Sequence, residues 1–326
     1  MAISVPMPAA AMAAAVTGTE TETEGAQDPW AHWLLHRRHG DDADCRAGMA
    51  PTLLRFADQV LNGARLTPGS HLLDIGCGDG LVGFRALGRA GGGAVRVTFA
   101  DHSARLLAVV RQRAERQGLA DRCRCVACDA QDLGGIADRA ADAVTSRAVI
   151  VYLPDKARAF RTLFRVLKPG GRLSIAEPIM RPAALPVIAL RQLLDRGEAG
   201  SHDPFLPLLH RWKAAQFPDT EAALEASPLT NFTEQTLARL AEEAGFAQVT
   251  LDFPPRQGEA PPLGWAAFLR LSPHPLAPSL GDILEERFSA REREALESHL
   301  RPRIEAGGYD TAERVAYLTA VRPVAG

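Results

Sequence analysis

Between residues 70 and 178, short apolar runs alternate with longer stretches whose apolar positions recur at helical spacing. Runs at residues 71–75, 95–100, 122–127, 141–146 and 172–176 read as strands, and residues 104–116 and 156–167 read as helices between them. Strands that alternate with helices need crossover connections, which predicts a parallel sheet with helices on both faces. Lys168-Pro169-Gly170-Gly171 marks a sharp stop before the fifth strand.

Outside this block the pattern is helical. Residues 30–39 and 51–62 read as two helices separated by the polar break Gly40-Asp41-Asp42. Residues 181–230 form a helical insertion, with helices at 185–196 and 205–217 and with Pro204, Pro207 and Pro218 as punctuation. The sheet pattern then resumes. Thr233 is placed to cap a helix through Ala244, Gly245 suits its C-terminal stop, and residues 248–253 read as a strand. A second helical insertion, 262–308, contains helical sequence at 280–306, with Ser289-x-x-Glu292 as a capping box and Gly307-Gly308 as a stop. Residues 314–321 would close the sheet. The expectation is a tail, residues 1–28, rich in Ala, Thr and Glu and disordered, followed by one domain over 29–326 with its N-terminal helices at 29–66.

Composition narrows the classes. The chain has 326 residues, 46% of them hydrophobic and 23% charged, with a formal net charge of −2, so no global charge favours nucleic acid or an anionic membrane. No apolar stretch approaches the ~18 residues of a membrane span. Five cysteines do not make a disulfide framework in a chain of 326 residues, and reduced thiols in a cytoplasmic enzyme are the expectation. Cys123, Cys125 and Cys128 fall on or beside one strand, where ligands do not converge, so no metal is expected.

The most specific chemistry lies in Leu72-Leu73-Asp74-Ile75-Gly76-Cys77-Gly78-Asp79-Gly80. An apolar strand that breaks into alternating glycines lets a ligand approach bare backbone at a helix N-terminus. Asp101 ends the next strand about 20 residues on, where a carboxylate can hold a ribose diol. Cys128-Asp129-Ala130-Gln131-Asp132-Leu133 follows the third strand, Asp142-Ala143-Val144-Thr145-Ser146 forms the fourth, and Phe164 to Leu173 leads into the fifth. This succession resembles the class I S-adenosylmethionine (SAM)-dependent methyltransferases, particularly their small-molecule and quinone-methylating branch. The resemblance implies a Rossmann-like, doubly wound, mostly parallel α/β sheet of seven strands, with SAM as cofactor. It further implies that Asp74, Gly76, Cys77 and Gly78 line the methionine side. Asp101 would hold the ribose, His102 would flank the adenine, and Asp129 and the backbone of Ala130 would read its edge. The rival, a nicotinamide dehydrogenase, lacks an evident hydride-transfer constellation.

In this fold the acceptor faces the cofactor beyond the fourth and fifth strands, where Arg147, Tyr152 and Glu177 lie. Arg147 suits the anchoring of a substrate anion or the SAM carboxylate, or an internal salt bridge; Glu177 suits a general base or a structural hydrogen bond. The 181–230 insertion reads as a lid whose apolar side includes Trp212 and whose cations include Arg191, Arg211 and Lys213. The expected acceptor is a small, partly hydrophobic metabolite, with an anionic group allowed. Carbon methylation of a prenyl diphosphate, with Glu177 as base and Trp212 steadying a cation, is an alternative. A peptide or protein methyltransferase and a non-catalytic SAM-binding subunit are others.

Overall fold

The computed structural model describes residues 28–89, 95–197, 203–254, 261–307 and 314–324. The tail expected at 1–28 (apart from Asp28) and Gly308 of the expected helix stop lie outside the described residues. The chain divides into two compact units, one built of residues 52–179, 232–254 and 315–326, the other of 1–51, 180–231 and 255–314.

The first unit is the sheet. Its strands are β1 (His71–Ile75), β2 (Arg96–Asp101), β3 (Cys123–Ala127), β4 (Ala141–Arg147), β5 (Leu167–Pro178), β6 (Ala247–Asp252) and β7 (Val315–Val321). They form one seven-stranded sheet in the order β3-β2-β1-β4-β5-β7-β6. β1 pairs in parallel with β2 on one side and β4 on the other, and β4 pairs in parallel with β5. β7 runs antiparallel to both β5 and β6. The strand order therefore reverses between β1 and β4, so a ligand crevice belongs at their carboxyl ends. β5 is longer than expected because the Lys168–Gly171 turn joins the strand, and the β4 pairing absorbs this by a register shift between Ala141 and Ala143.

The helices follow the apolar pattern, with two corrections at their starts. Helix α1 (Pro29–Leu35) is followed by α2 (Ala43–Ala64), which begins well before the expected start at Pro51. Asp42 caps it by accepting from the Cys45 N–H, and Pro51 sits inside the helix, costing one backbone bond without breaking it. α3 (Leu81–Arg89), α4 (Ala104–Arg116) and α5 (Lys156–Val166) flank the parallel strands, and α9 (Glu234–Glu243) starts from the Thr233 cap.

The second unit is helical. It contains α1, α6 (Arg181–Arg196), α7 (Phe205–Ala214), α8 (Glu221–Ala226), α10 (Trp265–Arg270), α11 (Leu280–Arg287) and α12 (Ala290–Ala306). α6 begins at Arg181, before the expected 185, and α8 and α10 are short helices that periodicity does not reveal. The Ser289–Glu292 capping box is formed at the start of α12. Segments far apart in sequence are tied within this unit: Arg37 bonds Ser279 and Asp282, and Arg270 donates to the Gly40 carbonyl. Ala184, Val187, Ile188, Phe217 and Leu224 form an apolar cluster here. No helix among the described residues is long and apolar enough to cross a membrane.

Close packing on the sheet gives a stability prediction. A Cβ at Gly63 of α2 would stand 2.4 Å from Ser174 Oγ, which donates to the Val60 carbonyl, and 2.6 Å from Thr319 Cγ2. Ala in place of Gly in a helix interior ordinarily gains about 0.5–1 kcal/mol, whereas overpacking a core costs about 1–3 kcal/mol. Gly63→Ala should therefore destabilise the fold by roughly 1 kcal/mol, read as a lower urea midpoint. An unchanged or raised midpoint would mean that the helix can shift off β5 and β7 cheaply.

Candidate cofactor and acceptor site

β1 ends in the glycine loop. Gly76 (φ +57°), Gly78 (φ +56°) and Gly80 (φ +83°) all take the left-handed conformation that glycine tolerates best. A Cβ on Gly76 would lie 2.1 Å from Val149 Cγ2, so only glycine leaves this backbone bare beneath the turn after β4. The Cys77 N–H donates to the Ala100 carbonyl at 3.1 Å, fastening the loop to β2. Burial pushes the Cys77 thiol well above its ordinary range, which gives it a packing character.

Asp101 stands at the tip of β2, nearly buried. Its Oδ2 accepts from the Gly78 N–H and its Oδ1 from the Ser103 N–H, each at 2.9 Å. His102 beside it is largely exposed, with Nδ1 3.5 Å from Asp101 Oδ1. The Cys128 N–H donates to the Asp101 carbonyl and brings the start of the next segment alongside. Asp129 is exposed there, its Oδ1 accepting from the Gln131 N–H at 2.7 Å, and Ala130 is half-buried. Asp101, His102, Asp129 and Ala130 are thus gathered at the carboxyl ends of β2 and β3.

Asp74 needs a correction. Its carboxylate does not line the cofactor side but turns into the core, where Oδ1 accepts from the Thr145 hydroxyl (2.9 Å) and Oδ2 from the Gly83 N–H (3.0 Å). The acid braces β1 against β4 and the first turn of α3, holding the glycine loop from behind. Burial raises its pKa to about 7, against those two hydrogen bonds, which lower it.

Glu177, at the end of β5, is also fully buried. Its carboxylate accepts from the N–H groups of Val149 and Val151, each at 3.1 Å. Ala148 has φ +55°, and the following residues enter a 3-10 turn at Ile150–Tyr152. Successive N–H groups after a left-handed residue form a concavity that binds anions, and Glu177 fills it from within the protein. The carboxylate is held by backbone donors, the structural one of its two expected roles. Burial raises its pKa to about 7, and the backbone donors and Lys156 pull in the opposite direction. Tyr152 is half-buried in the same turn.

Arg147 ends β4, half-buried. Among the described residues its side chain forms no hydrogen bond or ion pair, and Asp74 is the acid that feels its charge. The internal salt bridge expected as an alternative is therefore not formed among the described residues. Trp212 is a second correction. It lies in the helical unit, packed edge-on against Phe268 at 6.1 Å, and the Lys213 ammonium sits 3.7 Å from its ring centre. A face already holding a cation repels a substrate cation, so the cation-steadying role does not fit. Among the described residues no group of three or more His, Cys, Asp or Glu is arranged to hold a metal ion. Sequence reading missed Val149 and Thr145: an apolar residue after a strand and a hydroxyl inside one carry no distinguishing signal.

A glycine cradle that a Cβ would fill, facing an acid at the tip of the neighbouring strand, fits an adenosyl cofactor, and the fold around it is that of a Rossmann-like methyltransferase. Comparison with known proteins agrees. A methyltransferase domain family model matches residues 73–175. The ubiquinone/menaquinone biosynthesis C-methyltransferase UbiE of Paracoccus denitrificans is 34% identical over 182 residues, which cover 56% of this chain and 68% of that protein. The methyltransferase GfsG of Streptomyces halstedii is 34% identical over 127 residues, covering 39% of this chain and only 44% of its own length. Among solved structures, the [4+2]-cyclase SpnF aligns with a TM-score of 0.51 at 20% identity, covering 85% of this chain and 84% of its own, a likeness of fold. The chain belongs to the class I SAM-dependent methyltransferases, and SAM is its cofactor.

The two buried acids predict a pH dependence. Asp74 and Glu177 both bind protons up to about pH 7 in the folded chain, above their ordinary carboxylate range. Between that range and pH 7 the folded state holds more protons than the unfolded one, so their contribution to stability falls as pH rises. Asp74→Asn can still accept from Gly83 and donate to Thr145. It should flatten this fall, bringing urea midpoints at acidic and mildly alkaline pH closer together than in the wild type. An unchanged gap would mean that Asp74 is already ionised across the range.

Proposed function

We propose that the protein methylates a small, partly hydrophobic acceptor that reaches the site already nucleophilic, and that Arg147 anchors an anionic group on that acceptor. The observation that carries this reading is Arg147 itself. A guanidinium half-withdrawn from water without a hydrogen-bonded acid is costly, and a ligand carboxylate or phosphate offsets that cost. The bonds that occupy Glu177 support the same reading from the other side. A fully buried carboxylate whose oxygens face the N–H groups of Val149 and Val151 does not present them to a ligand, which weakens the prenyl diphosphate alternative with Glu177 as base.

In this reading the glycine backbone at 76–78 and Asp101 hold the cofactor, with His102, Asp129 and Ala130 beside the adenine. Bound SAM supplies an electrophilic methyl group. The chain's own work is alignment and exclusion of water: Glu177 fixes the 148–152 turn, Val149 presses on the glycine loop, and Arg147 orients the acceptor. Relatives named for ubiquinone/menaquinone C-methylation and for methylation of 27-O-demethylrifamycin SV support a biosynthetic small molecule as acceptor. The free thiols support a cytoplasmic setting.

Incubation with methyl-labelled SAM and fractionated cell extract tests the proposal. Label should pass into small molecules extractable by organic solvent, and Arg147→Met should cut that transfer by at least about tenfold while S-adenosylhomocysteine affinity holds within about twofold. Label confined to precipitated protein would sink the small-molecule reading. An equal loss of S-adenosylhomocysteine binding would reassign Arg147 to the cofactor.

A further inference from the structure

The helical unit contains many cations, and several of them pair with acids. Arg37 pairs with Asp282, Arg181 with Glu225, Arg191 with Asp219 and Arg211 with Glu292. Lys213 differs. It is 7% exposed, and among the described residues its ammonium meets no carboxylate and no carbonyl, only the face of Trp212 at 3.7 Å. Trp212 is 3% exposed, and its Nε1–H is buried without an acceptor. Two hydrogen-bond donors thus share one indole in a surrounding of apolar side chains, and burial lowers the pKa of the Lys213 ammonium to about 7, so that near neutral pH it holds its proton only about half the time. Leu209 precedes them by one helical turn and is buried, and Phe268 meets the indole edge-on.

The energetics are unbalanced as they stand. A cation–π contact does not replace the hydration that a buried ammonium loses, and Lys213 answers by a pKa lowered to about 7. The indole N–H, buried without an acceptor, adds to the deficit. An oxyanion with at least two oxygens would satisfy both donors.

We propose that Lys213 and Trp212 Nε1 form an anion subsite for the carboxylate or phosphate of a ligand with an apolar body. The subsite belongs to the helical unit by itself, and its ligand class is read from these two donors and the apolar side chains around them.

Calorimetry on the full chain tests the subsite with three probes: phenylbutyrate, its uncharged isostere phenylbutanamide, and inorganic phosphate. The carboxylate should bind about tenfold more tightly than the amide, and Lys213→Met should abolish the preference while leaving amide binding in place. Trp212→Phe, which keeps the packing and removes only the donor, should weaken the carboxylate several-fold and spare the amide. Equal binding of carboxylate and amide to the wild type, or an undiminished preference in Lys213→Met, would overturn the proposal. Phosphate binding as tightly as phenylbutyrate would overturn the assignment of an apolar body. If Lys213→Met does not fold by circular dichroism, the wild-type comparison and Trp212→Phe decide alone. S-adenosylhomocysteine titrated into the same samples separates the two readings. Its binding without a carboxylate preference sinks the subsite alone, and the acceptor reading is decided separately by the extract assay.

Discussion

The site depends on a carboxylate that never reaches solvent. Glu177 lies at the end of β5 and satisfies the N–H groups of the turn that follows β4, a turn that Ala148 enters with φ +55°. Left empty, that concavity of backbone donors would attract water or an anion, and its buried donors would be unsatisfied. With Glu177 in place, the turn is rigid enough for Val149 to close over Gly76. The geometry of the glycine loop is therefore set partly by a residue a hundred positions downstream on another strand.

Asp74 does the same work on the other side of the switch point. Its carboxylate joins the Thr145 hydroxyl of β4 to the Gly83 N–H in the first turn of α3. A helix N-terminus favours negative charge, so the acid gains from the helix as well as from its hydrogen bonds. Burial still lifts both carboxyls to about 7, because desolvation outweighs the donors around each. The carboxyl ends of β1 and β4 are thus framed by two acids that hold backbone, with Asp101 beside them at the tip of β2.

Much of this was legible in the sequence. Strand positions, the switch point and the glycine loop follow from apolar runs, turn residues and spacing, which act over a few neighbours. Helix α2 was misread because Pro51 looks like a helix start, and nothing local announces that Asp42 has already capped one. Asp74 was read as a cofactor ligand because a motif gives the position of a residue and not the direction of its side chain. Glu177 carried two readings for the same reason. Choosing between them requires the N–H groups of Val149 and Val151, which belong to another strand connection. Trp212 failed differently: its ring is suited to a cation, and the neighbour that occupies it, Lys213, is adjacent in sequence but informative only once its burial is known.

The distribution of charge bears on selectivity. Several arginines in the helical unit pair with acids, and Asp74 and Glu177 of the sheet unit are engaged by hydrogen-bond donors. Against that background each unit, taken by itself, keeps a cation that the described residues do not neutralise: Arg147 at the end of β4 and Lys213 in α7. A surface lysine without a partner carries little information, since water solvates it at no cost. A withdrawn cation is different: burial lowers the pKa of Lys213 to about 7, so it meets part of the cost by losing its proton, and a bound anion restores the charged form as a neutral ligand cannot. Discrimination then comes from the penalty that a wrong ligand leaves in place as much as from the contacts a right one makes. Apolar walls alone distinguish ligands weakly, since one methylene is worth about 1–3 kcal/mol. A buried cation separates an anion from its neutral isostere more sharply than apolar walls do.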